Sequence, residues 1–309
     1  MKLKTKTIVK LLVSILILAV LFSSVNVDEL KTVVSQANVW LLLLALGLVL
    51  SIRGIMALRW QIVLRLYGRF PKFLNLLSIV FMSNSIGHLL PGGGVDVVRS
   101  YQLAKDEGVV TEVAASVFVD RVVGLFSMLL IAFVASIVAV YTSDLSQVYV
   151  YVVSVMLVGF SVLYFLRGIL NGVKFDELTS IKPLKKLLVA IGKFVVLLGN
   201  VPLPGSVVLK LLLLSFLVQF IRILIFYSIF TALGIHLDLA LFVVFVPLLF
   251  IVMLMPISIG GLGVREGALF LFLSPYGASL EVCTAAGLLF HLLQLISMLP
   301  GIVLFMLRK

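Results

Sequence analysis

Four groups of charged or polar side chains lie inside or beside long apolar stretches of this sequence. They are Asp96 with Arg99, Asp120 with Arg121, Arg222 beside Gln219, and Arg265 with Glu266. A charged side chain at the centre of a bilayer costs about 2.5 to 3.5 kcal/mol on insertion scales, so each group should face protein, water or a ligand. Arginine also binds phosphate and carboxylate groups through two parallel hydrogen bonds. The four groups are therefore candidate sites for chemistry on a charged molecule.

Two of these groups directly follow a turn rich in glycine. The glycines are Gly92, Gly93 and Gly94 in the first turn, and Gly260, Gly261 and Gly263 in the second. A new helix is predicted after each turn, where unpaired N–H groups favour an anion and glycine lets a ligand come close to the backbone. Each turn, with its arginine, is therefore predicted to bind an anionic group such as a phosphate. At the first turn the alternative is that Asp96 caps its helix and pairs with Arg99.

The other two groups lie within long apolar stretches. Adjacent residues on a helix point about 100° apart, so Asp120 and Arg121 are poor partners for each other. Each is expected to meet another group of the protein or a wet cavity, and the alternative for Arg121 is that it reaches back to the cytoplasmic interface. Arg222 lies deeper in its stretch and shares a helical face with Gln219, so this pair is predicted to line a cavity.

Polar stripes interrupt two further apolar helices. The first consists of Asn84 and His88, and the second of His291 and Gln294. Such residues either form hydrogen bonds between helices or bind a ligand or proton, and the sequence leaves both readings open. Asn84 and His88 are included among the candidate substrate-binding residues.

The elements that position these residues follow from the composition. Of 309 residues, 62% are hydrophobic and 12% are charged, and the mean hydropathy is +1.29. Apolar stretches long enough to cross a hydrocarbon core of roughly 30 Å recur along the chain. The chain is therefore predicted to be an all-α polytopic membrane protein. The six predicted transmembrane helices are residues 8–25, 39–58, 113–141, 148–166, 206–233 and 281–307.

Two more apolar stretches, residues 73–90 and 239–259, each run into proline and a glycine turn. In both halves of the chain a long helix precedes this broken hairpin and another follows it, which predicts an inverted repeat. The halves are about residues 1–166 and 206–309, joined by a cytoplasmic linker at 167–205 within a single membrane domain of residues 1–309.

The distribution of basic residues predicts the topology. If both hairpins are re-entrant, the basic residues of the termini and loops collect on one side and Lys31 remains on the other. Lysine and arginine favour the cytoplasmic side, so both termini are predicted to be cytoplasmic in a multi-pass protein of the cell membrane. The segment at 8–25 is expected to be a retained helix, because no small-residue cleavage site precedes Asn26. Pairs of short full spans are the alternative to re-entrant hairpins.

Several functional classes find no support in the sequence. The net charge of +11 is spread over helix ends rather than over a soluble face, so nucleic acid is not an expected partner. Cys283 is the single cysteine, and no P-loop, H-E-x-x-H or G-x-S-x-G motif occurs. No metal or cofactor is predicted, and a transporter is favoured over an enzyme. The expected partners are membrane lipids, and a homodimer stays open.

The motifs, taken in order, resemble those of the lysylphosphatidylglycerol synthase transmembrane (flippase-like) family. The resemblance extends over about residues 8–307 and is carried by the runs at 83–100 and 256–267, and by Asp120-Arg121. The commoner family pattern has Glu-Arg where this chain has Asp120-Arg121, a change that conserves charge. The resemblance implies a stand-alone membrane unit without the soluble aminoacyltransferase domain that other members carry. It also implies lipid translocation between leaflets and leaves the particular lipid open. The leading hypothesis is a flippase for a phosphate-bearing lipid, anionic or aminoacylated.

Two other functions remain open at this point. Arginines and helix amino termini also suit phosphoryl chemistry, so a membrane-embedded enzyme acting on lipid or isoprenoid phosphates is one alternative, although it lacks a clear nucleophile. A non-catalytic partner subunit is the other.

Overall fold

The computed structural model describes residues 23, 25–87, 94–142, 154, 158, 204–254 and 258–307. All regular structure in these residues is helical. The helices are α1 (Val27–Ser35), α2 (Val39–Leu66), α3 (Phe73–Gly87), α4 (Gly94–Glu107), α5 (Val110–Thr142), α6 (Gly205–Ala232), α7 (Leu239–Leu254), α8 (Val264–Leu273) and α9 (Leu280–Leu307). Short 3-10 turns at Ile259–Gly261 and Ser274–Tyr276 flank α8.

Four of these helices are long and apolar enough to cross a membrane. They are α2, α6 and α9, each of 28 residues, and a 28-residue part of α5. At 1.5 Å per residue such a helix measures about 42 Å, more than a hydrocarbon core of roughly 30 Å requires. Four predicted spans and the all-α polytopic membrane fold are therefore confirmed. The predicted spans at 8–25 and 148–166 lie outside the described residues, apart from isolated positions.

Two shorter apolar helices, α3 and α7, precede the predicted glycine turns. Their described parts have 15 and 16 residues and measure about 22 and 24 Å, less than a hydrocarbon core of roughly 30 Å. A second short helix, α4 or α8, follows each of them. The order long, short, short, long therefore occurs twice, in α2 to α5 and in α6 to α9. Re-entry from opposite faces and inverted symmetry stay predictions.

The chain divides into two compact units. Unit A consists of Met1–Ile55, Val80–Val97 and Leu217–Lys309, and unit B of Met56–Ile79 and Val98–Phe216. Each unit draws on both halves of the sequence.

In unit A, α9 is the helix on which other elements pack. Its Gly301 lies so close to α3 that an added Cβ would overlap with the carbonyl of Phe81, and Ser85 donates a hydrogen bond of 2.6 Å to the carbonyl of Met298. At the other end of α9, Glu281 accepts a hydrogen bond of 3.2 Å from the backbone N–H of Asn26, which caps α1. These contacts fix the helix that carries part of the second site described below.

In unit B, the buried Trp60 anchors the carboxyl-terminal half of α2. Its indole Nε1 donates to the hydroxyl of Ser116 in α5 at 3.0 Å. The neighbouring Gln61 donates to the carbonyl of Pro71 at 2.9 Å, which ties the loop after α2 back to the helix. Since buried indole and amide groups need partners, the hydrogen bond of Trp60 fixes α2 beside α5, and that of Gln61 fixes the loop beside α2.

Candidate functional site

Unit B contains a carboxylate held between two arginines. Asp120 in α5 is buried, with a side chain 1% exposed, and it accepts hydrogen bonds from Nε of Arg59 at 2.6 Å and from Nη1 of Arg99 at 3.1 Å. Both guanidinium groups are buried as well. We call Arg59, Asp120 and Arg99 the buried ion triad.

The surroundings of the buried ion triad hold both arginines in place. Arg59 also donates from Nη1 to the hydroxyl of Ser215 in α6 at 2.9 Å. The guanidinium of Arg99 lies over the ring of Trp60, 4.7 Å from the ring centre. Gly124 lies one turn after Asp120, and a Cβ there would be 3.2 Å from both Nη atoms of Arg59. A larger residue at position 124 would press on the guanidinium of Arg59. The lack of a side chain at Gly124 therefore leaves the space that this guanidinium occupies.

The buried ion triad agrees with the sequence analysis in part. Asp120 and Arg99 are brought together, and Arg121 is exposed whereas Asp120 is buried, as expected for adjacent helical residues. The predicted end of the second span at residue 58 is too early, because the helix α2 continues to Leu66. Arg59 therefore lies within the helix rather than in a loop, with its side chain buried against Asp120.

Unit A contains the second candidate site, at the glycine turn before α8. Arg265 is fully buried, and it donates from Nη2 to the carbonyl of Gly260 at 2.7 Å and from Nη1 to the carbonyl of Gly287 in α9 at 3.0 Å. Its guanidinium also lies 5.0 Å from the ring centre of Phe290. Arg265 therefore ties the glycine turn to α9.

Glu266 occupies the amino terminus of α8. Its Oε2 accepts a hydrogen bond of 2.6 Å from the backbone N–H of Gly263, the residue that caps the helix. The carboxyl group packs against Gly287, where a Cβ would lie only 2.7 Å from Cδ of Glu266. A negative side chain at this place is stabilised by the helix dipole. The carboxylate of Glu266 thus fills the position at which an external anion would bind.

The glycines of the second turn are required by the backbone. Gly260, Gly261 and Gly263 have φ angles of 66°, 76° and 80°, a region in which other residues are strained. Gly260 and Gly261 lie in the 3-10 turn, and Gly263 directly precedes α8 as its N-cap. The turn therefore takes a shape that only glycine accepts readily at three nearby positions.

Unit A holds two further polar contacts among apolar helices. Arg53 in α2 donates to Oδ1 of Asn84 in α3 at 2.6 Å, and both side chains are buried. Arg222 in α6 donates to Gln219 at 3.2 Å and lies over the ring of Phe250, 4.4 Å from its centre. The predicted pairing of Gln219 and Arg222 on one helical face is therefore present.

The remaining predicted residues lie at the first glycine turn. His88, Gly92 and Gly93 lie outside the described residues. Gly94 begins α4, and Asp96 falls in the first turn of that helix, as the sequence predicts. Among the described residues, no group of three or more His, Cys, Asp or Glu side chains could hold a metal ion.

Sequence reasoning missed Arg53 and Arg59. Both lie in α2. Arg53 was missed because the mean hydropathy around it stays high despite its charge, and Arg59 because the span was predicted to end at residue 58. A charged residue inside an apolar helix was itself the available signal, because it requires a compensating polar partner.

Long apolar helices with buried, paired charges define an all-α, multi-pass membrane protein. Residues 7–301 match the family model described as the lysylphosphatidylglycerol synthase TM region, and the chain belongs to this family.

Two relatives carry the description UPF0104 membrane protein. The one from Methanothermobacter thermautotrophicus is 25% identical over 302 residues, which covers 92% of this chain and 89% of the relative. The one from Methanocaldococcus jannaschii is 29% identical over 126 residues, which covers 40% of this chain and 38% of the relative. The second match thus spans well under half of that relative's length. No solved structure matches this chain.

Proposed function

We propose that this protein moves a phosphate-bearing lipid, anionic or aminoacylated, between the two leaflets of a cell membrane, with its own termini in the cytoplasm. The observation that carries the proposal is the buried ion triad, in which two arginines bind one carboxylate inside helices long enough to span a membrane. Membership of the lysylphosphatidylglycerol synthase TM region family supports it, because that family is named for a lipid synthase.

The physical difficulty of lipid movement lies in the headgroup. A phosphate that enters hydrocarbon loses its hydration, and the loss of water around a full charge costs many kcal/mol. Guanidinium groups held in fixed positions replace that hydration through charge-assisted hydrogen bonds. Acyl chains need no such help, since they stay in the apolar part of the bilayer throughout.

In the proposed mechanism Asp120 holds the place of the phosphate. Two arginines that faced each other without a carboxylate would repel, and leaving a buried charge unpaired is strongly unfavourable. Asp120 keeps Arg59 and Arg99 buried and oriented while no headgroup is present. An arriving phosphate takes over one guanidinium, and Asp120 keeps the other. Exchange of one anion for another avoids a state in which either arginine lacks a partner.

The glycine turn before α8 is the second proposed headgroup contact. There the donors are backbone N–H groups at the amino terminus of a helix, a common site for phosphate. Arg265 acts mainly by holding the turn, because its two Nη atoms already donate to the carbonyls of Gly260 and Gly287. The contribution of Arg265 to headgroup binding is therefore largely through the shape of the turn.

The test measures transbilayer movement in liposomes that contain the purified protein. The lipids carry a fluorophore on one acyl chain and include phosphatidylglycerol, its aminoacyl form and a polyprenyl phosphate. We expect at least one of them to move faster than in empty liposomes. Arg59→Gln should slow the movement at least about tenfold, the loss expected for one charge-assisted contact of about 1.5 to 3 kcal/mol.

A matched control lies on the same helix. Arg65 is exposed near the end of α2, so Arg65→Gln should leave the rate within about twofold of the original. Chemical conversion of a lipid without faster movement would support the membrane-embedded enzyme instead. If no lipid moves or changes, the proposal fails and a partner subunit becomes the better explanation.

A further inference from the structure

The amino terminus of α8 is already occupied by the protein's own carboxylate. Oε2 of Glu266 accepts the N–H of Gly263 at 2.6 Å, and the side chain is fully buried. Its other oxygen, Oε1, has no hydrogen-bond donor among the described residues. A buried carboxylate with one oxygen unsatisfied is costly, because desolvation penalises its charge. Its charge state is therefore sensitive to whatever else binds at the turn.

Other unsatisfied polar atoms belong to the same turn and to the face of α9 that packs on it. Gly287 contacts both Arg265 and Glu266. Thr284, three residues earlier, and His291, four residues later, share its face of α9. The buried atoms without a hydrogen-bond partner among the described residues include Oγ of Ser258, Nε of Arg265, Oγ1 of Thr284 and Nδ1 of His291.

Most of this set suits an anion. The Nε–H of Arg265 and the hydroxyl groups of Ser258 and Thr284 can all donate hydrogen bonds to phosphate oxygens. The ionised carboxylate of Glu266 opposes an anion, because it is an acceptor and carries the same charge. A proton on Glu266 removes the charge and converts this group from an acceptor into a donor. The site is then complementary to a phosphate at every one of these side chains.

We propose that a phosphate-bearing headgroup binds at the amino terminus of α8 only together with one proton, which Glu266 takes up. This inference rests on the proposed lipid movement and adds its coupling to pH. On binding, the backbone N–H of Gly263 stops donating its hydrogen bond to Oε2 of Glu266 and donates it to a phosphate oxygen instead. A proton from the aqueous buffer binds to the carboxylate, and this proton returns to the buffer when the headgroup departs. Because protonated Glu266 is neutral, the negative phosphate does not face a second negative charge.

The charged and titratable groups around Glu266 are few among the described residues. On α8 itself Arg265 is adjacent, α7 carries none, and the turn after α8 carries Tyr276. On α9 the groups are Glu281, Cys283 and His291. His291 is the neighbour that could titrate instead, since its Cε1 lies 3.5 Å from where a Cβ of Gly260 would be. The experiment therefore compares Glu266 with His291 directly.

Linkage fixes the sign of the effect. If binding of one headgroup takes up one proton, headgroup affinity rises as pH falls, by up to about tenfold per pH unit. The phosphate diester of phosphatidylglycerol stays ionised at all pH values used in the experiment below, so the lipid itself does not titrate. If headgroup binding limits the rate of lipid movement, that rate should also rise as pH falls.

The experiment uses the full chain in liposomes with acyl-labelled phosphatidylglycerol, from about pH 6 to about pH 8 on both sides of the membrane. The wild-type rate should rise at least about fivefold as pH falls over this range. In Glu266→Gln the rate should change less than about twofold, whereas His291→Asn should keep the wild-type dependence. An unfolded Glu266→Gln variant is recognised by its thermal unfolding profile.

A second measurement needs no variant. A pH dye inside wild-type liposomes should report proton movement only when a gradient of phosphatidylglycerol between leaflets is present. Lipid movement that is fast and equal at every pH, with no proton signal, overturns the inference and leaves the proposed function intact. A pH dependence that disappears in His291→Asn and persists in Glu266→Gln overturns it too. No lipid movement at any pH contradicts the proposed function itself.

Discussion

The guanidinium of Arg59 donates from Nε to Oδ1 of Asp120 at 2.6 Å, across 61 positions of the sequence. Both side chains are buried, and both belong to helices long enough to span a membrane. Asp120 binds Arg99 as well, so one carboxylate supports two arginines. Its removal would leave both guanidinium groups without that partner.

Replacement of Asp120 by Ala should destabilise the protein by about 3 to 5 kcal/mol, because buried arginines lose their counter-ion. Thermal unfolding in detergent measures the effect. Asp120→Glu should retain most of the stability, since it keeps the charge. Glu112→Gln is the control, because Glu112 pairs with Arg69 at 3.8 Å where both side chains are about one-third exposed. Equal stability of Asp120→Ala and the control would contradict the importance of the buried pair.

A second prediction concerns Gly287 in α9. Gly287→Ala should disrupt the second site, because the new Cβ would overlap with the carboxyl group of Glu266 and push it from the N–H of Gly263. We expect a loss of about 1 to 3 kcal/mol in stability, typical of overpacking in a buried region. Gly267→Ala in α8 is the matched control, since nothing lies within 4 Å of its added Cβ. A Gly287→Ala protein as stable as the control would show that Glu266 can move freely.

The sequence predicts much of the fold because hydropathy and glycine act locally. Four spans, the short helices α3 and α7 and the start of α4 after the first glycine turn all follow from the order of residues. Arg59 was misplaced for the opposite reason. Hydropathy treats a charge at the edge of an apolar stretch as the end of a span, and the compensating Asp120 lies on another helix.

The need for Gly287 illustrates the same limit. In sequence it is an ordinary glycine in a small-residue run of α9, but in the structure the side chain of Glu266 occupies the space beside it. No local pattern in the sequence indicates that the size of residue 287 is restricted by Glu266, which lies 21 positions earlier on another helix. The buried pair of Arg53 and Asn84 likewise depends on how α2 and α3 pack.

The predicted topology can be tested by labelling. With Cys283 replaced by Ala, single cysteines at Ser143 and at Leu237 should react from outside intact cells with a maleimide that cannot cross membranes, and one at Thr179 should not. The reason is the concentration of lysine and arginine on the side that is predicted to contain Thr179. Labelling at position 179 from outside would contradict re-entrant hairpins with cytoplasmic termini.

The most direct test of the central claim compares two lipids in one preparation of liposomes. Phosphatidylglycerol and a glycosyl diacylglycerol carry the same acyl fluorophore, and both have polar headgroups, but phosphate is present only in the first. Arginines held by Asp120 should favour the phosphate, so we predict faster movement of phosphatidylglycerol than in empty liposomes and no acceleration of the glycolipid. Equal acceleration of both lipids, or of neither, would contradict the claim that this protein moves lipids through their phosphate group.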